Sequence, residues 1–317
     1  SLTGRLLPPL LALGIAGVVA AADLHVPGDH PSISEAVIAS EPGDTIHVGP
    51  GTWEESLTYS GKDITIISVA GPGKTTITGE RTAVQFRNRE TPAAVLEGFT
   101  LTGSIGLPYQ GSNVGGGIFV FESSPTIRNC IIEDCTADFG AGMHIALGSP
   151  IIEDCIFRNN TSVSNGGGVR IHDNSFPSFT NCQFLLNHTN DFGGGIAYGN
   201  DSTGTHENCQ FEGNTADIRG GAIYLGCTCS DAQVAASDFC NSVPDHIVGA
   251  WSDNGGNEWC PVCEDDINAD GNVGIDDLLS VISAWGSCVC IEDINGDSVV
   301  DVNDLLLVIQ DWGQCPG

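Results

Sequence analysis

The sequence predicts an all-β fold, a right-handed parallel β-helix solenoid, followed by a small α-helical module at the C-terminal end. Three observations predict it: a short repeat of constant period, strand-like alternation inside each repeat, and Asn or Asp at a fixed bend. A self-similar period within the range of roughly 20–50 residues is typical of solenoids, whose units bury their apolar faces only against neighbouring copies.

The repeat is clearest between Ser124 and Leu225, where one pattern is written four times. Each copy holds an Asn-Cys or Asp-Cys pair and ends in a small-residue cluster, usually glycine, before the next apolar strand. The cysteines of the pairs are Cys130, Cys155, Cys182 and Cys209. The clusters end at Gly117, Gly142, Gly168, Gly195 and Ala222, so both series advance by nearly the same step.

Short strands fill each repeat. After every cluster, apolar residues of one parity alternate with polar or variable ones, which is the pattern of a strand with one buried face. The residues predicted to face inward are Ile118 and Val120, Met143 and Ile145, Val169 and Ile171, Ile196 and Tyr198, and Ile223 and Leu225. The residues before the cysteines are Asn129, Asp154, Asn181 and Asn208, and these two residue types best tolerate the left-handed conformation of a sharp bend. The helical period of 3.6 is missing, so an α-solenoid is excluded.

Residues 1–22 have the features of a secretory signal peptide. Arg5 precedes an apolar run from Leu10 to Val19, and three alanines end at Ala22. The run is too short to span a bilayer, so we expect no transmembrane segment in the mature chain. The protein is therefore expected to be secreted, extracellular or on the cell surface.

Residues 23–226 are predicted to form the solenoid. Near its start, Ser32 or Ser34 can cap a short helix that presents Ile33, Val37 and Ile38. Because an open solenoid end has unpaired strand edges, we expect this helix to be the N-terminal cap. The segment from Gly103 to Gly116 is predicted to protrude as a loop.

The 13 cysteines divide into two groups. Those of the four Asn/Asp-Cys pairs occupy equivalent inward positions and are predicted to stack as a buried thiol ladder, with disulfides between neighbouring repeats as the alternative. Cys135 stands alone at a position where later repeats have Asn. The C-terminal quarter holds eight more, which predict a disulfide framework of unknown pairing: Cys227, Cys229, Cys240, Cys260, Cys263, Cys288, Cys290 and Cys315. The repeat pattern lapses over residues 227–262, which we interpret as a cysteine-rich C-terminal cap and linker.

Residues 24 to about 262 resemble known β-helix families. The sequence Gly-Gly-Ala-Ile at 220–223, with FRNN at 157–160, FLLN at 184–187 and FEGN at 211–214, is similar to the repeats of polymorphic outer-membrane proteins and of secreted pectin-lyase-like β-helices. The resemblance implies the fold. It leaves the activity open, because lyases, hydrolases, adhesins and spacers share this architecture.

Residues 263–317 contain two loops with the spacing of calcium ligands, one beginning at Asp266 and its copy at Asp293. Calcium needs six to eight oxygen ligands on a tight loop, and alternating Asp and Asn side chains with one backbone carbonyl supply them. The predicted Ca²⁺ ligands of the first loop are Asp266, Asn268, Asp270, Asn272 and Asp277. Those of the second loop are Asp293, Asn295, Asp297, Val299, Asp301 and Asp304.

Each loop leads into a predicted helix, and the duplicated loop and helix with Asp closing each loop resembles a type I dockerin, an EF-hand-like module. That resemblance implies docking to a cohesin-like module, with recognition by Ile275 and Asp276 of the first loop and Val302 and Asn303 of the second. Two positions depart from the pattern: Ser298 replaces the turn glycine, and Gly274 leaves one ligand position to water.

The charge balance limits the partners. Lys and Arg total 10 against 40 Asp and Glu, for a net charge of −30. Such a polyanion does not bind nucleic acid or anionic membranes through its overall field.

The positions between the inward residues of the post-glycine strands are predicted to face solvent in a continuous stripe. Its possible ligand-binding members are Phe119, Phe121, His144, Arg170, His172 and Tyr224. Aromatic rings and Arg suit sugar rings and their carboxylates. The stripe lacks the paired carboxylates of a glycoside hydrolase, so no catalytic residue is assigned.

We therefore expect a secreted or cell-surface β-helix that binds or displays on a polysaccharide or surface and is anchored by the calcium-dependent dockerin-like module. An acidic polysaccharide is the expected ligand of the stripe. The alternatives are a polysaccharide lyase or hydrolase acting at His144, Arg170 and His172, and a non-catalytic adhesin or structural surface protein.

Overall fold

The computed structural model describes residues 20–226, 231–259, 267, 272–286, 294, 299–310 and 312–314. Over the solenoid part of these residues, short strands stack in register into three long parallel sheets, so the fold is a parallel β-helix as predicted. Within the described residues, no helix is both long and apolar enough to cross a membrane.

The three sheets take successive strands of each turn. Sheet 1 consists of Asp23–Val26, Thr45–Val48, Thr65–Ser68, Val95–Glu97, Thr126–Arg128, Ile151–Glu153, Ser178–Thr180, Thr205–Glu207, Ala232–Ala235 and Trp251–Asp253. Sheet 2 consists of Gly51–Trp53, Thr75–Ile77, Thr100–Thr102, Ile131–Glu133, Ile156–Arg158, Gln183–Leu185, Gln210–Glu212, Asp238–Cys240 and Glu258–Trp259. Sheet 3 consists of Leu57–Thr58, Val84–Phe86, Ile118–Phe121, Met143–Ala146, Val169–His172, Ile196–Tyr198, Ile223–Leu225 and Ile247–Val248.

A fourth, short parallel sheet lies at one corner and consists of Thr136–Ala137, Thr161–Ser162, His188–Thr189 and Thr215–Ala216. The solenoid strands continue to Trp259, which corrects the expected end of the solenoid at residue 226. The strands after residue 226 were not predicted because they lack the glycine cluster and the Asn-Cys pair that mark the earlier turns.

The bends have the predicted chemistry. Asn129, Asp154, Asn181 and Asn208 all have φ between 49° and 55°, in the left-handed region. The glycine clusters combine two needs: Gly166 has a φ of 77°, and a Cβ on Gly168 would lie 2.5 Å from the carbonyl oxygen of Gly195 in the next turn. A side chain there would prevent the turns from stacking.

The core lies between the sheets and repeats from turn to turn. The ten residues predicted to face inward on sheet 3 are all buried. Phenylalanines of sheet 2 stack in a column, with centroid distances of 5.1, 4.7 and 4.9 Å between successive rings from Phe157 through Phe184 and Phe211 to Phe239. Beside this column the Asn of each FxxN motif is fully buried and bonds to the next turn: Nδ2 of Asn160 donates to Oδ1 of Asn187 at 3.0 Å.

The cysteines of the solenoid repeats are free and buried, which confirms the thiol ladder and excludes the alternative of disulfides between them. They are Cys130, Cys155, Cys182 and Cys209, together with Cys135. Of the eight C-terminal cysteines, Cys240 forms a disulfide. The other seven lie outside the described residues, and their pairing stays a prediction.

The N-terminal helix runs from Ile33 to Ala39 with Ser32 as its N-cap. Ile33, Ala36 and Val37 are buried, whereas Ile38 is 79% exposed, so the expectation for Ile38 was wrong. The helical period places Ala36 rather than Ile38 on the buried face.

The C-terminal module has two helices, Ile275–Ser283 and Val302–Gln310, and a strand pair, Asn272–Val273 with Gly313–Gln314. Its small core is made of equivalent residues of the two copies, Val273, Val281, Val300 and Val308. The duplication seen in the sequence is therefore also present in the packing.

Candidate functional site

The stripe residues lie on the outer face of sheet 3 in two aligned columns. The strand register pairs Phe119 with His144, His144 with Arg170, Arg170 with Ala197, and Ala197 with Tyr224. In the second column, Phe121 pairs with Ala146, and Ala146 with His172. The repeat thus brings these side chains together along the solenoid axis.

A hairpin covers one end of this face. The segment expected to protrude as a loop instead forms two antiparallel strands, Leu107–Tyr109 and Ser112–Val114, here called the hairpin. Leu107 and Val114 pack on Phe119, and the Tyr109 ring lies 5.5 Å from that of Phe119 and 5.6 Å from that of Phe121.

The predicted environment was therefore wrong for two of the stripe residues. Phe119 is 1% exposed and His144 is 3% exposed, although both were predicted to face solvent. The hairpin excludes water from this part of the outer face, and Phe121 is half-buried for the same reason. Of the two phenylalanines in the predicted solvent-facing stripe, Phe119 is therefore buried and Phe121 is half-buried.

A cleft of about 210 Å³ opens between the hairpin and sheet 3, and we call it cleft 1. Tyr109, Gln110 and Ser112 of the hairpin form one wall, and His144, Arg170 and His172 of the sheet form the floor. Phe139 and Val114 complete the lining. Three of the six predicted stripe residues thus meet in one depression.

The two histidines of cleft 1 belong to a chain of hydrogen bonds. Asn200 Nδ2 donates to Asp173 Oδ1 at 2.9 Å, and Asp173 Oδ2 lies 2.9 Å from His172 Nδ1. His172 Nε2 lies 2.8 Å from His144 Nε2. The chain joins a carboxylate at the surface to an imidazole beneath the hairpin.

The pKa shifts along this chain follow from burial and hydrogen bonding. Partial burial would raise the pKa of Asp173, but hydrogen bonds from Asn200 and His172 hold it below its usual value. Burial lowers the pKa of His172, against the opposing effect of Asp173. Burial, then His172, then Arg170 lower the pKa of His144 well below its usual value.

The charge states of Asp173 and His172 determine which ring nitrogen of each histidine carries a proton. Since Asp173 is ionised, it accepts a hydrogen bond from Nδ1–H of His172, and the other nitrogen of neutral His172 is then an acceptor. His144 therefore donates through Nε2, and its Nδ1 carries no proton. That Nδ1 is buried and makes no hydrogen bond of ordinary geometry with a described residue, while the Phe139 backbone raises the pKa of His144 against the larger effects.

This arrangement leaves neither histidine ready to act on a ligand. Both ring nitrogens of His172 are occupied, one nitrogen of His144 is occupied, and the other is buried. A general base must come within hydrogen-bonding distance of the proton that it removes. In this arrangement, neither histidine therefore presents an exposed, unengaged nitrogen to a ligand in cleft 1.

Sequence reasoning missed Tyr109, Gln110, Asp173 and Asn200. Asp173 directly follows His172, and Asn200 lies one repeat further along the chain, so the period could have paired the two. Tyr109 and Gln110 carry no such signal because, among the described turns, the hairpin is an insertion in a single turn.

Six of the eleven predicted calcium ligands lie outside the described residues: Asp266, Asn268, Asp270, Asp293, Asn295 and Asp297. Asp277 and Asp304, which close the two loops, are buried to 1% and 0% exposure. Each accepts a backbone hydrogen bond from the residue three positions earlier: Gly274 N at 2.7 Å to Asp277, and Asp301 N at 2.8 Å to Asp304. In the described residues, no group of three or more His, Cys, Asp or Glu is placed to hold a metal ion.

The backbone of Asn272 pairs with Gln314, and Val299 is partly exposed. The residues implied in partner recognition lie at the starts of the two helices, where Ile275, Asp276, Val302 and Asn303 are all exposed.

Comparison with known proteins gives the family. The profile described as "Right handed beta helix region" matches residues 67–239, more than half of the chain. Among solved structures, pectin methylesterase from carrot is similar at 12% sequence identity and a TM-score of 0.36, over 77% of this chain and 83% of that one. The search of curated proteins returned no match. The profile and the stacked parallel sheets confirm the handedness and fold predicted from the repeat: the chain belongs to the right-handed β-helix family.

Proposed function

We propose that the solenoid binds an acidic polysaccharide at cleft 1 without cleaving it, and that the protein acts outside the cell. The observation that carries the proposal is the charge of the cleft. In a chain with 40 acidic and 10 basic residues, Arg170 lines cleft 1, and none of the described lining residues is Asp or Glu. The ionised Asp173, which interacts electrostatically with Arg170, does not line the cleft and is hydrogen-bonded to His172 and Asn200. A guanidinium forms paired hydrogen bonds with a carboxylate, so it is suited to a uronate sugar.

The surroundings of Arg170 suit the rest of a sugar. Tyr109 contributes an aromatic ring, and Gln110 and Ser112 contribute hydrogen-bonding groups to the same wall. The cleft volume of about 210 Å³ lies below the range of roughly 300–1,000 Å³ typical for drug-sized ligands. Cleft 1 therefore fits one sugar unit at a time.

The test is affinity electrophoresis in gels containing polygalacturonate, alginate or a neutral cellulose derivative. Wild-type protein is expected to be retarded by the acidic polymers, and Arg170→Ala to migrate as in an empty gel. The control is Arg158→Ala, because Arg158 pairs with Glu133 on sheet 2, away from the cleft. Unchanged retention of Arg170→Ala, or equal retention in the neutral polymer, would refute the proposal.

The second candidate is a polysaccharide lyase or hydrolase, and the chain from Asp173 through His172 to His144 favours it. Ligand binding would have to break the bond between the two histidines to free a base. Wild-type protein incubated with polygalacturonate would then release unsaturated or reducing ends, and His172→Ala would not. Absence of product with retained binding would establish the non-catalytic function.

We also propose that residues 263–317 form a calcium-binding module that anchors the protein, through a cohesin-like partner or an equivalent surface. The fit rests on Asp277 and Asp304, two buried carboxylates in a segment whose sequence contains no Lys or Arg. Buried carboxylates are stable when they coordinate a cation. Exposed Ile275 and Val302 begin the two helices and are suited to contact a partner.

Pull-down with a cohesin module in calcium and in chelator tests the docking, and Ile275→Asp with Val302→Asp should abolish it.

A further inference from the structure

A second cleft lies further along the same face of sheet 3, and we call it cleft 2. Its volume is about 240 Å³, close to that of cleft 1. Arg170 lines both clefts, so the two are neighbours that share one guanidinium. Cleft 2 also lacks Asp and Glu among the described residues that line it: Asn165, Arg170, Phe192, Tyr198, Gly199, Asn200, Tyr224 and Gly226.

Glycines help to form the depression of cleft 2. Gly199 and Gly226 line it, whereas Ala197, which stands between Arg170 and Tyr224 in the first column, is fully buried and does not line the cleft. In the second column, Gly199 leaves room for the Arg170 side chain, because a Cβ at Gly199 would lie 2.7 Å from Nη2 of Arg170. Arg170 therefore extends over the glycine toward cleft 2 while it lines cleft 1.

The wall of cleft 2 is aromatic. The rings of Phe192 and Tyr224 stack at a centroid distance of 4.5 Å with an interplanar angle of 24°. Both are half-buried, so part of each ring faces the cleft. Asn165 and Asn200 contribute amide groups to the lining. An apolar ring face beside hydrogen-bonding amides matches a pyranose ring, which has C–H faces and hydroxyl edges.

We propose that clefts 1 and 2 are consecutive subsites of one groove, which binds adjacent units of an acidic oligosaccharide lying along the solenoid axis. This inference rests on the proposed function and names its ligand as a chain of at least two uronate units. Neighbouring strands lie about 4.8 Å apart, so the three steps from His144 to Tyr224 span about 14 Å. That length accommodates two sugar rings, with the Arg170 guanidinium near their junction to hold a carboxylate.

The test is isothermal titration of the full-length protein with galacturonate, digalacturonate and trigalacturonate. Digalacturonate, the dimer, is expected to bind at least about tenfold more tightly than galacturonate, the monomer, because the disaccharide occupies both subsites. Phe192→Ala should remove this gain while leaving monomer binding in place. Tyr109→Ala should weaken the monomer and dimer, and Arg170→Ala should abolish binding of all three ligands.

Thermal melts of each variant show that it is folded, and Phe192→Leu provides a milder change at the same site. Saturation-transfer NMR gives a second readout: both rings of the dimer should receive saturation in the wild type, and one ring should lose it in Phe192→Leu. Monomer binding that depends on Arg170, with no gain for the dimer, would overturn the two-subsite groove and leave the proposed function standing. Absence of binding by every ligand and polymer would refute the proposed function itself.

Discussion

His144 illustrates how one position of the repeat acquires its own chemistry. Its register partners are Phe119 in the preceding turn and Arg170 in the following turn, on the outer face of sheet 3. It is buried between the rings of Phe119 and His172, and its Nε2 lies 2.8 Å from that of His172. A histidine that is buried and neutral is sensitive to pH, because protonation would place a charge where water cannot reach it.

We predict that stability falls as the pH drops below 6.5, the ordinary pKa of histidine, and that His144 contributes to this fall. Because burial lowers the pKa of His144 in the folded protein, the unfolded chain takes up a proton first. The stabilisation is therefore complete above 6.5 and is lost as the pH falls toward the lowered folded pKa. Each histidine that takes up a proton on unfolding changes the free energy of unfolding by at most about 1.4 kcal/mol per pH unit.

Urea unfolding between about pH 5 and about pH 8 measures this slope for the free energy of unfolding. His144→Gln should reduce the dependence of the free energy of unfolding on pH. The control is His25→Gln, because the His25 side chain is 60% exposed, and this variant should leave the dependence unchanged. An unchanged slope in His144→Gln would contradict the prediction. His172 and His246, whose pKa values burial also lowers, should contribute to the slope that remains.

Asn187 is a residue whose importance comes from the stacking of turns. Its Oδ1 accepts from the backbone N and the Nδ2 of Asn160, at 3.1 and 3.0 Å. Its Nδ2 donates to Phe157 O at 2.9 Å and to Asn214 Oδ1 at 3.0 Å. All of these groups are buried.

We expect Asn187→Leu to destabilise the protein strongly, because leucine leaves these buried groups without partners at a cost of roughly 1–3 kcal/mol each. Urea unfolding of Asn187→Leu and of the control Asn190→Leu, at an exposed position in the same turn, checks this. Similar midpoints for the two variants would show that the ladder adds little.

At the scale of elements, the N-terminal helix depends on side chains from the turns that it covers. Glu55 accepts hydrogen bonds from Ile33 N and Ser34 N at 2.9 and 2.8 Å. At the other end, Lys62 Nζ donates to the carbonyls of Val37, Ile38 and Ser40 at 2.6, 3.0 and 2.7 Å. These bonds satisfy backbone groups that so short a helix leaves unpaired at its ends.

Lys62→Met should therefore lower the free energy of unfolding by about 1–3 kcal/mol, since hydrogen bonds from a charged donor are lost while the aliphatic part is retained. Lys74→Met is a matched control, because Lys74 is the other lysine of the chain and is exposed. Its expected change is within about 0.5 kcal/mol. Chemical denaturation compares the two, and equal stability would show that Lys62 does not hold the cap.

At the scale of the whole molecule, the net charge of −30 opposes the binding of a polyanion. The attraction at Arg170 acts at contact distance, whereas the repulsion from the remaining carboxylates is long-ranged. The Debye screening length is about 30 Å at 0.01 M salt and about 10 Å at 0.1 M. Added salt therefore weakens the long-range repulsion more than the short-range attraction between Arg170 and a bound carboxylate.

We predict that retention on polygalacturonate becomes stronger between about 0.01 and 0.1 M NaCl at constant calcium. A binding mode driven by many basic residues would weaken over the same range, because it depends on the release of counterions. Affinity electrophoresis at several salt concentrations distinguishes the two. A steady loss of retention with added salt would contradict the role assigned to Arg170.

The charge also governs the C-terminal module, where 12 carboxylates occur in residues 263–317 without a Lys or Arg. We predict that chelation of calcium unfolds this module within the full-length protein and leaves the solenoid folded, because bound ions offset the repulsion and order both loops. Limited proteolysis with and without chelator should release the module and spare the solenoid. Asp277→Asn should weaken calcium protection, while Asp276→Asn, an exposed neighbour outside the predicted ligand set, should not. Equal resistance with and without chelator would refute the prediction.

The sequence by itself determined the repeating part of this protein. The turns, the inward residues such as Ile145 and Ile171, the buried cysteines and the left-handed bends at Asn129 and Asn181 could all be predicted. Each turn contacts only its neighbours, so equivalent positions have the same environment in every turn. The same residue types therefore recur at those positions in the sequence. The alignment of His144 with Arg170 also followed from this period.

Only the tertiary structure decided which of the aligned residues meet solvent and what they bond to. Among the described turns, one carries the hairpin that covers Phe119. Its position over sheet 3 depends on contacts of Leu107 and Val114, which the repeat pattern does not predict. The last solenoid turn, with Trp251 and Trp259, lacks the repeat signals and was recognised through its strand pairing alone. The two clefts that share Arg170 also lie where the described surface departs from the repeat, beside the hairpin and at Gly199. A sequence period predicts the features that recur in every turn, so it cannot predict a feature that one or two turns alone possess.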